Sequence, residues 1–152
     1  LEFDVTARAH ASIDVFASFG YTHARFGADT MSGGVDVAGK KLPFTPDYTT
    51  LVGTQVTHAI NSAVTLYARG EAVMYGAFEY DEANTARQNR YSLVNLRGGV
   101  RGKYVFAETW IRNAFDSQYV PIAFPYQGFA PSGFIGENGR PRTFGISAGV
   151  TF

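Results

Sequence analysis

Long stretches in which apolar and polar residues alternate constrain the fold of this chain more than any other feature. Side chains two residues apart lie on the same face of a β-strand, so the pattern gives a strand one apolar and one polar face. The clearest example is 144–152, in which Phe, Ile, Ala, Val and Phe alternate with Gly, Ser, Gly and Thr. The segment 103–114 is apolar in both phases, which leaves its faces unassigned. Seven segments have or approach the pattern, and they are 1–10, 13–22, 48–57, 64–74, 93–101, 103–114 and 144–152.

The lengths of these segments favour a membrane barrel over a soluble sandwich. Strands of soluble proteins usually have about 5–6 residues, whereas a tilted strand needs about 9–11 to cross a bilayer. Outer-membrane barrels also alternate short periplasmic turns with long extracellular loops. The connections here alternate in the same way, with short turns at 10–12, 61–62 and 102–103 and long loops at 24–47, 78–90 and 116–142. The sequence therefore predicts an all-β fold, a transmembrane antiparallel β-barrel.

Seven strands do not complete such a barrel, because bacterial barrels have an even number of strands. An open sheet would also leave backbone groups of its two edges unsatisfied in lipid. We therefore expect the chain to be a piece of a larger barrel. Aromatic residues near the ends of the segments are candidates for the two interfacial girdles, namely Tyr21, Tyr48, Tyr91, Tyr104, Trp110, Phe144 and Phe152.

Composition and charge exclude several classes of function. Thirteen basic and thirteen acidic residues give a formal net charge of zero. This balance gives no reason to expect a nucleic-acid partner, whose binding usually requires a basic surface. The chain has no cysteine, which excludes disulfides, thiolate catalysis and cysteine–zinc sites. His10, His23 and His58 lie on separate segments without ligand spacing. The sequence therefore predicts no enzyme, no metal site and no cofactor, and the acidic cluster Glu79, Asp81 and Glu82 is more typical of a solvated loop than of a calcium site.

Charged residues within the strands indicate a wet interior. An arginine facing lipid near the bilayer midplane costs about 2–4 kcal/mol, so we expect these side chains to face a lumen. In the lumen their main role would be to pair with one another, and lining a path for a ligand would be a secondary role. They are Glu2, Asp4, Arg8, Arg69, Glu71, Arg97 and Arg101.

The long loops are the better candidates for ligand contact. Exposed loop aromatics suit hydrophobic or planar ligands, although the same residues could equally pack as a lid on their neighbours. The candidates in loop 116–142 are Tyr119, Phe124, Tyr126 and Phe129. In loop 78–90, Arg87 and Arg90 could bind an anionic or aromatic ligand.

Three stretches, in order, resemble the C-terminal part of TonB-dependent outer-membrane receptors. Residues 42–48 resemble the Leu-Pro-x-x-Pro that precedes a strand in that family. Residues 110–119 are similar to its apolar-x-Asn-Leu-Phe-Asp-x-x-Tyr, with Ala114 in place of the common Leu and with Asn113, Phe115, Asp116 and Tyr119 matching. Finally, Gly139, Pro141 and Arg142 resemble the Gly-x-Pro-Arg signature, and Phe152 the terminal Phe.

This resemblance implies a plugged barrel of 22 strands, of which residues 1–152 would be the C-terminal segment, strands 16 to 22. The plug domain, the TonB box and the earlier strands would lie elsewhere in the receptor. The first implied partner is the rest of the same receptor, whose plug would contact the inward charges. The others are the TonB complex, outer-membrane lipid and the barrel assembly machinery, which would recognise the last strand.

The resemblance also implies a function, which is the TonB-driven import of a scarce nutrient across the bacterial outer membrane. Siderophores, cobalamin and carbohydrates are all candidate ligands, and no covalent chemistry is involved. Two alternatives stay open from the residues alone. One is a small autonomous outer-membrane barrel with a structural or adhesive role, and the other is a soluble all-β binding module or enzyme.

Overall fold

The computed structural model describes residues 1–126 and 133–150. Every regular element in this part of the chain is a β-strand, and none is a helix that could span a membrane. The strands are β1 (Glu2–His10), β2 (Ile13–Tyr21), β3 (Met31–Ser32), β4 (Val35–Asp36), β5 (Tyr48–Ala59), β6 (Thr65–Tyr75), β7 (Phe78–Glu79), β8 (Arg87–Gln88), β9 (Tyr91–Arg101), β10 (Val105–Arg112), β11 (Ile122–Pro125), β12 (Phe134–Glu137) and β13 (Thr143–Val150).

The seven long strands form one antiparallel sheet in the order β1-β2-β5-β6-β9-β10-β13. Each strand therefore pairs with the next long strand along the chain. The predicted all-β fold, with seven long antiparallel strands, is confirmed. Three two-stranded hairpins lie within the long connections, β3 with β4, β7 with β8 and β11 with β12; the sequence pattern had not predicted them.

The strand register separates the side chains into two chemically different faces. One row across the sheet consists of Ile13, Val56, Ala68, Gly98, Thr109 and Ile146. The next row consists of Asp14, Gln55, Arg69, Arg97, Trp110 and Gly145. We call these the apolar face and the polar face. The register also resolves β10, because it places Thr109 on the apolar face and Trp110 on the polar face.

The girdle prediction is wrong for two residues. Tyr91 and Trp110 both lie on the polar face, since Tyr91 is paired with Tyr75 and Trp110 with Arg97. Tyr21 and Tyr48 are paired with each other on the apolar face. Phe152 lies outside the described residues.

The distribution of exposure along β13 is the reverse of that in a strand of a soluble sheet. On β13, Ile146 is 82% exposed and Phe144 is 79% exposed, whereas Gly145 and Ser147 on the polar face are half-buried. A soluble antiparallel sheet packs its apolar face on a core and leaves its polar face in water. In the described chain, the buried apolar residues lie in the connections instead, and they are Val37, Phe78, Tyr80 and Ala123.

Candidate functional site

The charges predicted to face inward all lie on the polar face. Arg69 Nη2 is 3.1 Å from Glu71 Oε2, and Arg8 Nε is 3.0 Å from Asp14 Oδ1. Arg97 and Arg101 are exposed on the same face. The charged side chains of β6 and β9 therefore all lie on the polar face. The apolar face of these two strands has no charged residue.

Arg69 is the best-held charge on this face. Its guanidinium lies 4.0 Å from the centre of the Phe16 ring, which is a cation–π distance. Glu71, its ion-pair partner, also accepts a hydrogen bond of 3.4 Å from Asn95. Asn95 in turn accepts the backbone N–H of Asn113 at 3.1 Å. A connected polar path therefore runs from β2 to the end of β10.

A second polar contact joins β6 to β10. The Tyr67 hydroxyl donates to Glu108 at 2.6 Å, and the Arg101 guanidinium lies 5.5 Å from the Tyr67 ring centre. Arg112 lies 5.1 Å from the Trp110 ring centre on the same face. These contacts tie charged side chains to aromatic rings along the face without burying any of them deeply.

Two of the three family-like stretches contact each other. Asn113, which is 5% exposed and has a φ of 49°, donates through its side chain to the carbonyls of Ser117 and Arg140 at 3.0 and 3.1 Å. Asp116 accepts the backbone N–H of Arg142 at 2.7 Å. Asn113 and Asp116 therefore fasten the chain after β10 to the chain before β13, where Pro141 also lies. The neighbouring Phe115 is 77% exposed, and Phe152 lies outside the described residues.

Tyr119 is the end of a column of three tyrosines. Its ring stacks on Tyr91 with a centroid distance of 4.6 Å, and Tyr91 stacks on Tyr75 at 4.9 Å. The backbone of Gly139 passes against the Tyr119 ring and donates to the Tyr119 carbonyl at 2.7 Å. These contacts give Tyr119 a packing role, and its predicted role in ligand contact stays a prediction.

A small aromatic core joins the long connections at one end of the long strands. Phe78, Tyr80 and Ala123 are its buried members. The Tyr80 hydroxyl donates to the Val120 carbonyl at 2.8 Å and lies 3.0 Å from Gln88 Oε1, which also accepts the Val120 N–H. Burial raises the pKa of the Tyr80 phenol above its ordinary value. The sequence had offered no reason to single out Gln88.

Backbone and side-chain hydrogen bonds fasten connection 22–47 to connection 76–90. Asn84 accepts the Lys41 N–H at 2.8 Å and donates to the Lys41 carbonyl at 3.0 Å. Lys40 Nζ donates to the Ala83 carbonyl, and the Phe44 N–H donates to the Glu79 carbonyl. Because these partners are 35 or more residues apart along the chain, no local sequence signal could have identified Asn84.

The predicted ligand contacts are partly brought together. Phe124 is 52% exposed, and its ring centre is 6.0 Å from that of Phe44, an exposed residue beside the aromatic core. Tyr126 follows β11 and is the last residue of the described range 1–126. Arg87 and Arg90 are exposed in connection 76–90. In the register of the β7–β8 hairpin, Arg87 lies opposite Glu79. Phe129 lies outside the described residues.

Within the described ranges, no group of His, Asp and Glu is placed to hold a metal ion. Asp81, in the acidic cluster, instead accepts the N–H groups of Thr85 and Ala86 and the Thr85 hydroxyl. This carboxylate therefore shapes the turn that leads into β8.

No family model matches the sequence. Solved structures do match. The ferric yersiniabactin uptake receptor FyuA from Yersinia pestis is similar with a TM-score of 0.85 and 18% identity, over 99% of this chain and 23% of that one. The siderophore receptor PiuA from Acinetobacter baumannii has a TM-score of 0.71 and 18% identity, over 97% and 20%. The ferric-catecholate import receptor Fiu from K12 E. coli has a TM-score of 0.66 and 20% identity, over 99% and 20%.

The chain thus spans about a fifth of the length of the receptors it matches. At these identities the likeness concerns the fold. The seven-stranded sheet, with its polar and apolar faces and its long connections at one end, has the fold of a segment of the barrel of TonB-dependent siderophore receptors.

Proposed function

We propose that this chain is the C-terminal part of the barrel of an outer-membrane receptor that imports a scarce nutrient with energy from TonB. The observation that carries the proposal is the exposed apolar face, on which Ile146 and Phe144 are about four-fifths accessible. In a transmembrane barrel this face meets acyl chains, and the polar face meets a wet lumen. A soluble all-β module would leave that large apolar surface in water, where it promotes aggregation.

The edges of the sheet support a larger barrel as the setting. β1 and β13 each have one neighbour in the described sheet, and an unpaired strand edge is costly in lipid. Strands from the rest of the same receptor would pair with both edges and close a barrel of 22 strands. In this arrangement residues 1–152 form one segment of the barrel domain, and β13 is the strand offered to the barrel assembly machinery.

The polar face would contact the plug domain of the receptor. Arg97 and Arg101 are exposed there, and exposed guanidinium groups bind carboxylates with two parallel hydrogen bonds. Arg8, Arg69 and Glu71 are held in ion pairs within the chain, so they would shape the lumen wall. TonB would act on the N-terminal part of the receptor, away from this segment.

The ligand proposed for the whole receptor is a ferric siderophore. The three matched structures are of receptors named for siderophores or ferric compounds, which favours this class over cobalamin or a carbohydrate. The exposed Phe124, Tyr126, Arg87 and Arg90 are proposed as ligand contacts at the extracellular end. Neither an enzymatic step nor a cofactor is part of the proposal.

Lipid exposure of the apolar face can be measured at adjacent residues. Single cysteines replacing Ile146 and Ser147 in an otherwise cysteine-free full-length receptor would carry an NBD fluorophore. In vesicles that contain brominated phospholipids, we expect strong quenching at position 146 and little at position 147, because the two side chains lie on opposite faces. Equal quenching at both positions would contradict a barrel wall.

Transport is tested in cells. Deleting the gene for the full receptor should abolish uptake of one radiolabelled ferric siderophore from a panel, and deleting TonB should have the same effect. Uptake that needs neither gene would reject the import function. Native polypeptide mass serves as a control, since a small autonomous barrel would not be much larger than this chain.

A further inference from the structure

The apolar face has a groove near the end of the sheet that carries the short turns. Its volume is about 650 Å³, within the range of about 300–1,000 Å³ that is usual for small-molecule sites. Its floor is low because Ala68, Gly98 and Ala107 lie in neighbouring rows of β6, β9 and β10. Larger apolar side chains surround these three residues, and they are Val56, Leu66, Val100 and Ile146.

A second cavity extends this groove toward the middle of the sheet. It has a volume of about 370 Å³, includes Ala68 and Gly98 again, and reaches Gly70. Together the two cavities cross β5, β6, β9 and β10, which at the usual strand spacing is a distance of about 14 Å. One leaflet of a bilayer has a hydrocarbon layer about 15 Å thick. The groove therefore has the size and the apolar lining that suit one acyl chain.

His58 adds a hydrogen-bonding group at one end of the groove. It lies two residues beyond Val56 on β5, lines the larger cavity and is exposed. The hydroxyls of Thr54 and Thr109, which also face the groove, donate to backbone carbonyls at 3.1 and 3.4 Å. Within the described ranges, His58 makes no hydrogen bond. Because a polar group facing lipid is costly without a partner, its partner would come from the lipid itself.

The same end of the sheet carries an uncompensated positive charge. Lys103 is exposed in the turn after β9, and in the part of the chain that the structure describes it has no ion-pair partner. Asp14, an acidic residue at this end, is already paired with Arg8. Positive charge at a membrane surface attracts anionic head groups. Charge complementarity therefore favours an anionic lipid over a neutral one.

We infer that this groove binds one acyl chain of an anionic glycerophospholipid in the periplasmic leaflet, with His58 donating a hydrogen bond to the phosphate or ester oxygens. The inference rests on the proposed function, because the apolar face meets lipid only in a membrane barrel. It assigns a contact role to His58, for which the sequence pattern offered none.

Native mass spectrometry of the full-length receptor in detergent can measure this binding. The probe is dipalmitoyl phosphatidylglycerol, and dipalmitoylglycerol is the comparison, since it has the same chains without the phosphate. The parent should retain phosphatidylglycerol more tightly. His58→Phe keeps an aromatic ring without a hydrogen-bond donor, and it should weaken phosphatidylglycerol binding about 2- to 10-fold. Ala68→Leu fills the groove and should weaken the binding of both lipids.

Ala148→Leu is the matched control, because Ala148 lies on the same face beside Ala107 but outside the groove. It should leave binding unchanged, and all variants should keep the thermal transition of the parent. Equal retention of the two lipids by the parent, which needs no variant, would overturn the site. Equal phosphatidylglycerol binding in Ala68→Leu and Ala148→Leu would do so too, since it would mean general coating by lipid. A receptor dimer that only Ala68→Leu dissociates would assign the groove to a second copy instead.

The lipid site and the import function fail separately. If uptake of a ferric siderophore needs TonB but Ala68→Leu binds phosphatidylglycerol like the parent, the groove is rejected and the import function stands. If Ala68→Leu and His58→Phe lose the lipid as expected but the receptor supports no uptake, the import function is rejected and the groove stands.

Discussion

The ring of Tyr119 occupies the space that a side chain at position 139 would need. A Cβ atom on Gly139 would overlap the ring, and the Gly139 N–H donates to the Tyr119 carbonyl at 2.7 Å. Because Tyr119 also stacks on Tyr91, it cannot move aside without leaving β9. The glycine and the tyrosine of two separate family-like stretches are thus parts of one contact.

Gly139→Ala should therefore loosen the chain between β10 and β13. We expect a cost of about 1–3 kcal/mol for the overpacking, seen as faster hydrogen–deuterium exchange in residues 113–126 of the full-length protein. Gly27→Ala is the control, because a Cβ there would meet only Thr30 Oγ1 at 3.8 Å. Similar exchange in the two variants would mean that the Tyr119 ring is not held in place.

Asn113 combines a positive φ with a set of side-chain hydrogen bonds, and two substitutions separate these contributions. Asn113→Gly keeps the backbone conformation and removes the bonds to Ser117 and Arg140, each worth about 0.5–1.5 kcal/mol. Asn113→Ala removes the bonds and adds backbone strain. Exchange rates in 113–119 should rise in the order parent, glycine variant, alanine variant. An alanine variant as protected as the glycine variant would show that the φ of 49° is not required.

Tyr80→Phe should weaken the aromatic core and change its response to alkaline pH. The hydrogen bond from the Tyr80 hydroxyl to the Val120 carbonyl would be lost, which should lower the free energy of unfolding by about 0.5–1.5 kcal/mol. Burial raises the pKa of Tyr80 in the folded protein, so the contribution of the neutral phenol is fully present below the unfolded pKa of about 10. It is lost as the pH rises through the higher folded pKa. The stability difference between parent and variant should shrink above pH 10, and a difference that stays constant to higher pH would contradict this.

Gly53 gives the Phe16 ring a place to lie flat on the polar face. A Cβ at position 53 would overlap the ring and approach the Gly70 carbonyl to 2.8 Å. Gly53→Ala should lift Phe16, break its contact with Arg69 and lower the thermal transition of the full-length barrel, at a cost of about 1–3 kcal/mol. Gly98→Ala is the matched strand control, since its nearest contact would be an ordinary 3.4 Å. If the thermal transition fell equally in both variants, the cost would come from replacing any glycine in these strands and not from the contact with Phe16.

The sequence alone determined the seven long strands and the faces of six of them. This was possible because alternation of side chains along a strand is a local property, set by every second residue. It also determined which ends carry the long connections. The same local reasoning failed for β10, where Phe106 and Trp110 compete with Val105 and Ile111 for the apolar face.

Only the tertiary structure decided the faces of β10 and the contacts among the long connections. Phe106 and Trp110 lie on the polar face because Gly149 and Gly145, their partners on β13, leave room for the two rings. Asn84 is joined to Lys41, a residue 43 positions away. Such contacts depend on which backbones the sheet brings together, and a one-dimensional pattern contains no information about that.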